Sequence, residues 1–447
     1  MIKITLNDLS SFLELPASNL NYDLPILNFS IDSRTIKKGD AYIAIEGKKY
    51  NGNNFVLDAI KNGAAIAFTS KKEYLAPNIF YVKDGKEFLK KIAGFIIKTI
   101  NPKVIAVTGS NGKTTTKEIT ASILQQEYSE KELLITQGNF NNDIGLPLTI
   151  LRLNESHKIA ILEMGMNHKG EIEDLTRIAP PHIAVITNIG EAHIENFESK
   201  DGIAAAKKEI LANISKNSFA ILPRDDKYFE FLAADLLSTN IITFGKSKES
   251  DIRFTTKDNL ITRYFLLDKF LDAKCSMIGD HNIMNIMASI GVAKALKIST
   301  NLIKNGIESF KGVPGRLEFK YAKNGATIID DSYNSNPSSM MAAIDVLASQ
   351  TSSHKILVIG DMAELGEQSQ RLHSDIIKYI NDSSISHTFA IGGCMKQPII
   401  NNIEYGSWYN SKNDLIKDLR ALLRKDSVVL IKGSRLMKME EIINIII

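Results

Sequence analysis

Cysteine is scarce. Cys275 and Cys394 are the only two in 447 residues, and they share no CxxC-type spacing. They read as buried free thiols in a reducing compartment, not as a disulfide framework. Net charge is scarce too: +3 over the whole chain gives no ground for bulk binding to nucleic acid or a membrane surface. No run reaches roughly 18 apolar residues, so no spanning helix is expected. The opening Met1-Ile2-Lys3, with Asp8 and Glu14 close behind, lacks the apolar core of a secretory signal. A cytoplasmic location is expected. What is present is a globular composition, 44% hydrophobic and 23% charged, in a chain long enough for about two to four domains.

The most informative stretch is Ile105-Ala106-Val107-Thr108-Gly109-Ser110-Asn111-Gly112-Lys113-Thr114-Thr115-Thr116. A β-favouring run enters a glycine-bracketed loop, and a helical pattern follows with Ile119, Ile123 and Leu124 on one face. Strand, loop, Lys-Thr and helix make a phosphate cradle. Backbone N–H groups and the helix N-terminus face the anion, Lys113 reaches the outer phosphates, and the Thr114 hydroxyl is able to ligate Mg²⁺. The spacing is shorter than the usual P-loop: Val107 stands where the first glycine belongs, leaving Gly109-x2-Gly112-Lys113-Thr114.

Three domains are expected: 1–98, 99–314 and 315–447. The first is a small α/β unit ended by Asn101-Pro102. Its loops carry Ser33-Arg34 and Lys48, cationic enough to hold a diphosphate, although a solvated loop explains them as well. In the second, strands predicted at 104–107, 133–136, 159–162, 183–187, 219–222 and 241–244 alternate with helices, the pattern of a mostly parallel sheet of P-loop type. An antiparallel patch is expected over 246–276. Ligands gather outside the carboxyl ends of parallel strands, so the residues there are candidates. Glu163 is placed to hold Mg²⁺. His193 is a ligand, a proton shuttle or a structural histidine. Asn139, Asn141 and Asn142 suit substrate hydrogen bonds or turns. Lys207, among alanines, is an exposed or a modified lysine. His281, Asn282 and Asn285 open a helix, either touching a base or sugar or capping. After Pro314-Gly315-Arg316, strands predicted at 326–329, 356–359, 388–391 and 428–431 form a second open, Rossmann-like α/β sheet with polar strand ends. Asn336-Pro337 reads as a helix N-cap with proline at the first helical position.

These residues together resemble the Mur ligase family, the ATP-dependent amide-forming enzymes of peptidoglycan synthesis. The compact Thr108–Thr115 loop is similar to theirs and to that of folylpolyglutamate synthetase. So are Gly138-Asn139-Phe140-Asn141-Asn142, Glu163-Met164-Gly165, the 188–193 segment, His281-Asn282 with Asn285, Gly315-Arg316 and Asp330-Asp331-Ser332-Tyr333-Asn334. The 331–337, 360–366 and 432–435 segments look most like the member that adds D-alanyl-D-alanine to UDP-N-acetylmuramoyl-tripeptide.

The resemblance implies that the N-terminal domain holds the UDP end through Ser33, Arg34 and Lys48. ATP would meet Gly109, Ser110, Asn111, Gly112, Lys113, Thr114, Thr115, Asn282, Asn285, Arg316, Asp330, Asp331 and Tyr333. Two Mg²⁺ ions would use Thr114, Glu163, His193 and a carbamylated Lys207, which reverses the bland reading of that lysine. Asn139, Asn141, Asn142, Asn334, Asn336, Lys432 and Ser434 would meet substrate. Catalysis would fall to Lys113, Glu163, His193 and Lys207, in a monomer serving cell wall biogenesis, cell shape and cell division. One departure is Arg224, where the family leads one to expect asparagine. The rivals are a sibling ligase adding one amino acid, a folylpolyglutamate synthetase-like ligase, and a nucleotide-switched binding protein.

Overall fold

The computed structural model describes residues 4–9, 25–47, 49–215, 217–236, 240–256, 261–266, 269–275, 277–402 and 405–447. Three sheets carry the architecture, with a two-stranded pair (Ile4–Thr5 with Pro25–Ile26) beside the first. The N-terminal sheet has four parallel strands in the order Phe29–Ser30, Ala41–Ile43, Ile66–Thr69, Ile79–Tyr81.

The helix Gly85–Ile100 leads out of that sheet. Asp84 caps it by accepting from the N–H of Lys86 (2.7 Å) and Glu87 (3.0 Å). It ends at Asn101 in the left-handed conformation (φ 52), and Pro102 follows. Asn101-Pro102 therefore does stop a helix, but that helix does not belong to one side. Phe88 stacks on Phe68 of the N-terminal sheet, centroids 4.5 Å apart. The same helix packs on Gly145–Ile150 and Glu171–Ile178 of the central part.

The central sheet has nine strands. Its middle order is Phe219–Pro223, Ile183–Ile186, Lys103–Thr108, Ile159–Glu163, Leu133–Ile135, all parallel. Asn240–Phe244 continues it in parallel, and Ile252–Thr256, Ile261–Leu266 and Lys269–Lys274 extend its edge, the last two antiparallel to their neighbours. Strand side chains alternate between faces. Here both faces are apolar, with Val104 and Ala106 in one core and Ile105 and Val107 in another. That is the signature of a strand buried on both sides. The second core is closed by Lys113–Leu124, Asp280–Ala295 and Thr300–Ser309 through Ile119, Ile123, Ile286, Ile290, Ile303 and Ile307.

The C-terminal sheet runs Glu318–Tyr321, Thr327–Asp331, Val428–Lys432, Lys355–Gly360, His387–Ile391, Gly406–Tyr409, antiparallel only at the first pair. Glu318–Tyr321 and Gly406–Tyr409 are additions to the predicted strands. Both are edge strands, one polar and half exposed, the other opened by glycine, so neither carries a buried apolar run. Asn336 does cap Pro337–Ala348, with proline in the first turn. That helix buries Met340, Ala343, Ile344 and Leu347, while Met341 is only partly covered. The apolar tail forms the helix Glu440–Ile446, burying Ile442, Ile443 and Ile446. Cys394 is exposed and Cys275 partly so, which corrects the expectation that both are buried.

Gly306 sets how closely the loop helix approaches its neighbour. A Cβ there would overlap Ile123 Cα and crowd the backbone of Ser122, and Ser122 Oγ donates to Gly306 O at 2.7 Å. Backbone cannot rotate away as a side chain can. Gly306→Ala should therefore cost about 1–3 kcal/mol of stability, seen as a lower urea midpoint with an unchanged slope. A midpoint equal to that of the parent protein would contradict this packing.

Candidate functional site

The strand Lys103–Thr108 lies where the chain order of the central sheet reverses. Later strands were added beside Ile159–Glu163 on one side, then beside Ile183–Ile186 on the other. Such a switch point leaves a crevice at the strands' carboxyl ends, and the Gly109–Gly112 loop occupies it. The short loop now has a physical reason. Val107 is fully buried in the strand, paired with Glu163 and Val185, so the loop begins later. Gly109 takes φ 151, and a Cβ on it would collide with Thr187 Oγ1.

The loop's outer edge is held by the segment after Ile183–Ile186. Ser110 N–H donates to Asn188 O and Asn111 N–H to Asn188 Oδ1, both at 3.0 Å. Thr187 Oγ1 donates to Asn111 O at 2.5 Å, and Gly190 N–H to Ser110 Oγ at 2.8 Å. The inner edge is the start of the helix Lys113–Leu124, whose first N–H groups have no intrahelical acceptor. Lys113 Nζ folds back to donate to Gly109 O (2.7 Å). Enclosure by protein lowers its pKa although it opens on the cavity; Glu163 and Glu364 oppose that shift and Arg316 adds to it.

Glu163 is the last residue of its strand and is 2% exposed. Its Oε2 accepts from Thr114 Oγ1 (2.9 Å) and its Oε1 from Asn141 Nδ2 (2.8 Å). A hydroxyl and a carboxylate side by side form a hard-oxygen donor set that fits Mg²⁺. Lys207 is buried in Lys200–Lys208, and among the described residues no carboxylate lies within 4.0 Å of its amine. Burial pushes its pKa well down, and the nearby Lys113 charge pushes the same way. His193 is left-handed (φ 62), and its Nδ1 lies 2.6 Å from Glu364 Oε2.

The C-terminal strand ends close over this face. Asn336 Nδ2 donates to Asn111 Oδ1, and Asn111 Nδ2 donates to Ser338 Oγ, both at 2.8 Å. Arg316 donates to Thr114 Oγ1 at 3.3 Å and lies over the Tyr333 ring, 4.4 Å from its centroid. Its Nε is buried without a partner among the described residues, a donor aimed at nothing the protein supplies. Lys432 Nζ holds Asp331 at 2.6 Å and Asn334 O at 2.8 Å. The cavity between the central and C-terminal sheets has a volume of about 370 Å³ and is lined by the loop, by Asn188–His193, by His281, Asn282 and Asn285, and by Arg316, Asp331, Asn334, Asn336, Glu364 and Lys432. Asn282 and Asn285 are 5% exposed. Neither caps its helix: Asn285 accepts from Thr116 Oγ1 (3.3 Å) and Asn282 donates to Ile278 O (2.8 Å).

Several expected residues stand elsewhere. Asp330 is buried and spends its oxygens on Lys320 (2.6 Å), Ser332 Oγ (2.6 Å) and Ser332 N–H (3.0 Å), so it does not face the cavity. Tyr333 serves as the surface under Arg316 and is not part of the cavity wall. Ser434 is buried, its N–H bonded to Asp361 O. Asn139 is exposed, and Asn142 caps Ile144 and Gly145. Ser33 is buried in the turn after Phe29–Ser30, and the exposed Arg34 turns back on Asp32 at 2.7 Å, holding that carboxyl down at about 2. Lys48 lies outside the described residues. Arg224 pairs with Glu230 and Glu249 over the Phe229 ring, away from the cavity. Conversely, Lys200 and Ser338 line the cavity without having been marked at all, and Asn188, Glu191 and Glu364 line it although only their segments, and no role for them, were marked. Strand-end position was the available signal for Asn188, Glu191 and Glu364. One further cluster, Asp361, His373 and Cys394, suits no metal: both ring nitrogens of His373 are engaged, by Met362 N–H and Ser369 O, and Asp361 caps Cys394 and Met395.

Comparison with known proteins gives three domain matches in chain order: Mur ligase family, catalytic domain (25–128); Mur ligase middle domain (107–293); and Mur ligase, glutamate ligase domain (315–435). The chain is 33% identical to the UDP-N-acetylmuramoyl-tripeptide–D-alanyl-D-alanine ligase of Haemophilus influenzae, covering 99% of this chain and 98% of that one. It is 32% identical to the ligase of the same name from Bacillus subtilis, again over 99% and 98%. Its fold is similar to a crystal structure of MurF from Acinetobacter baumannii (TM-score 0.90, 31% identity, 99% and 97% covered) and to MurF ligase from Thermotoga maritima in complex with ADP (0.85, 29%, 94% and 96%).

Asn111 alone spans the gap to both Asn336 and Ser338. Asn111→Ala should weaken closure by about 1–2 kcal/mol, seen calorimetrically as a roughly tenfold loss of ADP affinity. In a double-mutant cycle with Asn336→Ala the two losses should not add. Additive losses would mean that these contacts do not hold the gap shut.

Proposed function

This chain belongs to the Mur ligase family, and from that premise we propose that it joins D-alanyl-D-alanine to UDP-N-acetylmuramoyl-tripeptide with conversion of ATP to ADP and phosphate. The observation that carries the reading is a phosphate loop whose Thr114 is bonded to the buried Glu163 behind it and which opens on a cavity covered by the strand ends of a second sheet. An NTP switch needs the first half of that arrangement but not the second.

A carboxylate is a poor acyl donor. In this reading one oxygen of the tripeptide's terminal carboxylate attacks the γ-phosphorus of ATP, and ADP leaves with the bond's electron pair. The product is an acyl phosphate. The dipeptide amine, once deprotonated, attacks the acyl carbon; the C–N bond forms and inorganic phosphate departs. Lys113 and the N–H groups at the start of Lys113–Leu124 stabilise charge on the transferring group. Arg316, with a donor still free, reaches phosphate from the C-terminal side. The closed gap keeps water from the acyl phosphate.

Thr114, Glu163 and His193 are the residues that would hold Mg²⁺, which supplies Lewis-acid charge neutralisation. A carbamylated Lys207 would add a further carboxylate. Burial and the Lys113 charge shift the Lys207 amine toward its neutral form, the form that adds CO₂. The N-terminal domain, 1–98, would receive the UDP end. As the structure stands, Arg34 is tied to Asp32 and would have to turn outward. Among the described residues no helix is long and apolar enough to cross a membrane. The proposed setting is the cytoplasm, with a monomer working on a diffusible precursor.

Incubation of the protein with ATP, Mg²⁺, UDP-N-acetylmuramoyl-tripeptide and D-alanyl-D-alanine should release phosphate and form one amide, seen by mass spectrometry. Phosphate release with single amino acids or with folate and glutamate, but none with the dipeptide, would end the reading. Lys113→Ala should lower the rate roughly a hundredfold or more without changing the circular dichroism spectrum. With ¹³C-bicarbonate the protein should show a carbamate carbon resonance that Lys207→Arg removes; identical spectra would argue against the carbamate.

A further inference from the structure

The acidic side chains facing the cavity are Glu191, Asp331 and Glu364. Asp331 is neutralised by Lys432 at 2.6 Å. Glu191 stands on the same strand-end loop as His193, on the central side. Glu364 also comes across the gap, on the loop after Lys355–Gly360, but unlike Asp331 it has no lysine or arginine paired with it among the described residues. It takes a left-handed φ of 63, facing His193 at φ 62. Side-chain-bearing residues rarely adopt this conformation, and such strain clusters at functional sites. Two strained residues on opposite walls, each presenting its side chain to the other, mark a place that the fold over-determines. The loop is anchored there by Glu195 N–H, which reaches Glu364 O at 3.4 Å.

Cations outnumber acids around the cavity that Glu364 enters. Lys113, Lys200, Arg316 and Lys432 line the same cavity, and Lys113 and Glu364 each feel the other's charge. That suits ATP and an acyl phosphate but repels a second cation. A free dipeptide arrives with an ammonium group, which loses its hydration on entry and needs an anion in exchange. Its nitrogen must also end within bonding reach of the carboxyl group activated beside Lys113. Glu364 is the cavity acid that meets both requirements while arriving with the sheet that closes the gap.

We propose that Glu364 is the receptor for the amine end of the incoming dipeptide: its carboxylate takes the ammonium group in place of the His193 ring and holds the nitrogen toward the Lys113 side of the cavity. This rests on the ligase reading above. The His193–Glu364 contact is then what the loop makes before the dipeptide enters.

The test is steady-state kinetics on the full chain with ATP, Mg²⁺ and UDP-N-acetylmuramoyl-tripeptide, comparing the parent protein with Glu364→Gln, Glu364→Asp and Glu191→Gln. Glu364→Gln should raise KM for D-alanyl-D-alanine at least tenfold and leave KM for ATP within twofold, with Glu364→Asp in between. Equilibrium binding gives a second readout that altered folding would not mimic. With a non-hydrolysable ATP analogue bound, the parent should prefer D-alanyl-D-alanine to N-acetyl-D-alanyl-D-alanine, which has no ammonium, and Glu364→Gln should lose that preference. A parent protein that forms no amide overturns the ligase reading. A parent that does, with Glu364→Gln keeping both KM and preference, overturns this inference alone. So does a shift confined to the Mg²⁺ requirement, which would make Glu364 a metal ligand, or a KM effect in Glu191→Gln but not in Glu364→Gln.

Discussion

Thr114 Oγ1 meets Glu163 Oε2 at 2.9 Å, and the rest of the site is arranged around that contact. It exists because Val107 pairs with Glu163 in register. Alternation along a strand leaves little freedom here, since a slip of one residue would turn Glu163 to the other face. Asn141 and Thr136 fix the carboxylate and its backbone from the far side, at 2.8 and 3.0 Å. A buried carboxylate is costly unless its oxygens are engaged; here both are, by neutral donors that a cation can displace. The cradle is thus pre-organised for a charge that the protein does not itself carry.

The second constraint is the gap. Neither the central nor the C-terminal sheet contains a complete site. Arg316 contacts Thr114, Asn336 and Ser338 contact Asn111, and Glu364 contacts His193. These are single polar contacts, each worth on the order of 1 kcal/mol, against a continuous apolar core that includes both Ile186 of the central sheet and Ile344 of the C-terminal helix. Weak polar bonds at the mouth suit a joint that opens for substrate and product, and the reacting groups sit where opening exposes them.

Much of this was legible in the sequence. The loop, Glu163, His193 and the Asn336-Pro337 helix start are local patterns tied to strand ends, and local patterns survive folding. What was not legible depends on pairing between distant segments. Asp330 and Asp331 are adjacent and chemically identical, yet one turns inward to Lys320 and the other to Lys432; strand alternation separates them, and no composition rule chooses which faces the cavity. The shared helix Gly85–Ile100 blurs the first domain boundary for the same reason: its two partners lie far apart in the chain. Edge strands such as Glu318–Tyr321 escaped because an exposed edge needs no apolar run. Glu364 sits in a loop already marked as family-like, but its partner His193 lies about 170 residues earlier in the chain, beyond any helix- or strand-period pattern.

The central claim is that the cradle transfers phosphate to a carboxylate before any amide forms. The direct measurement uses UDP-N-acetylmuramoyl-tripeptide carrying ¹⁸O in both oxygens of its reacting carboxylate. After turnover with ATP and D-alanyl-D-alanine, mass spectrometry should find one ¹⁸O in each inorganic phosphate released and one in the amide carbonyl. Phosphate free of ¹⁸O, with amide product formed at the same rate, would contradict the account.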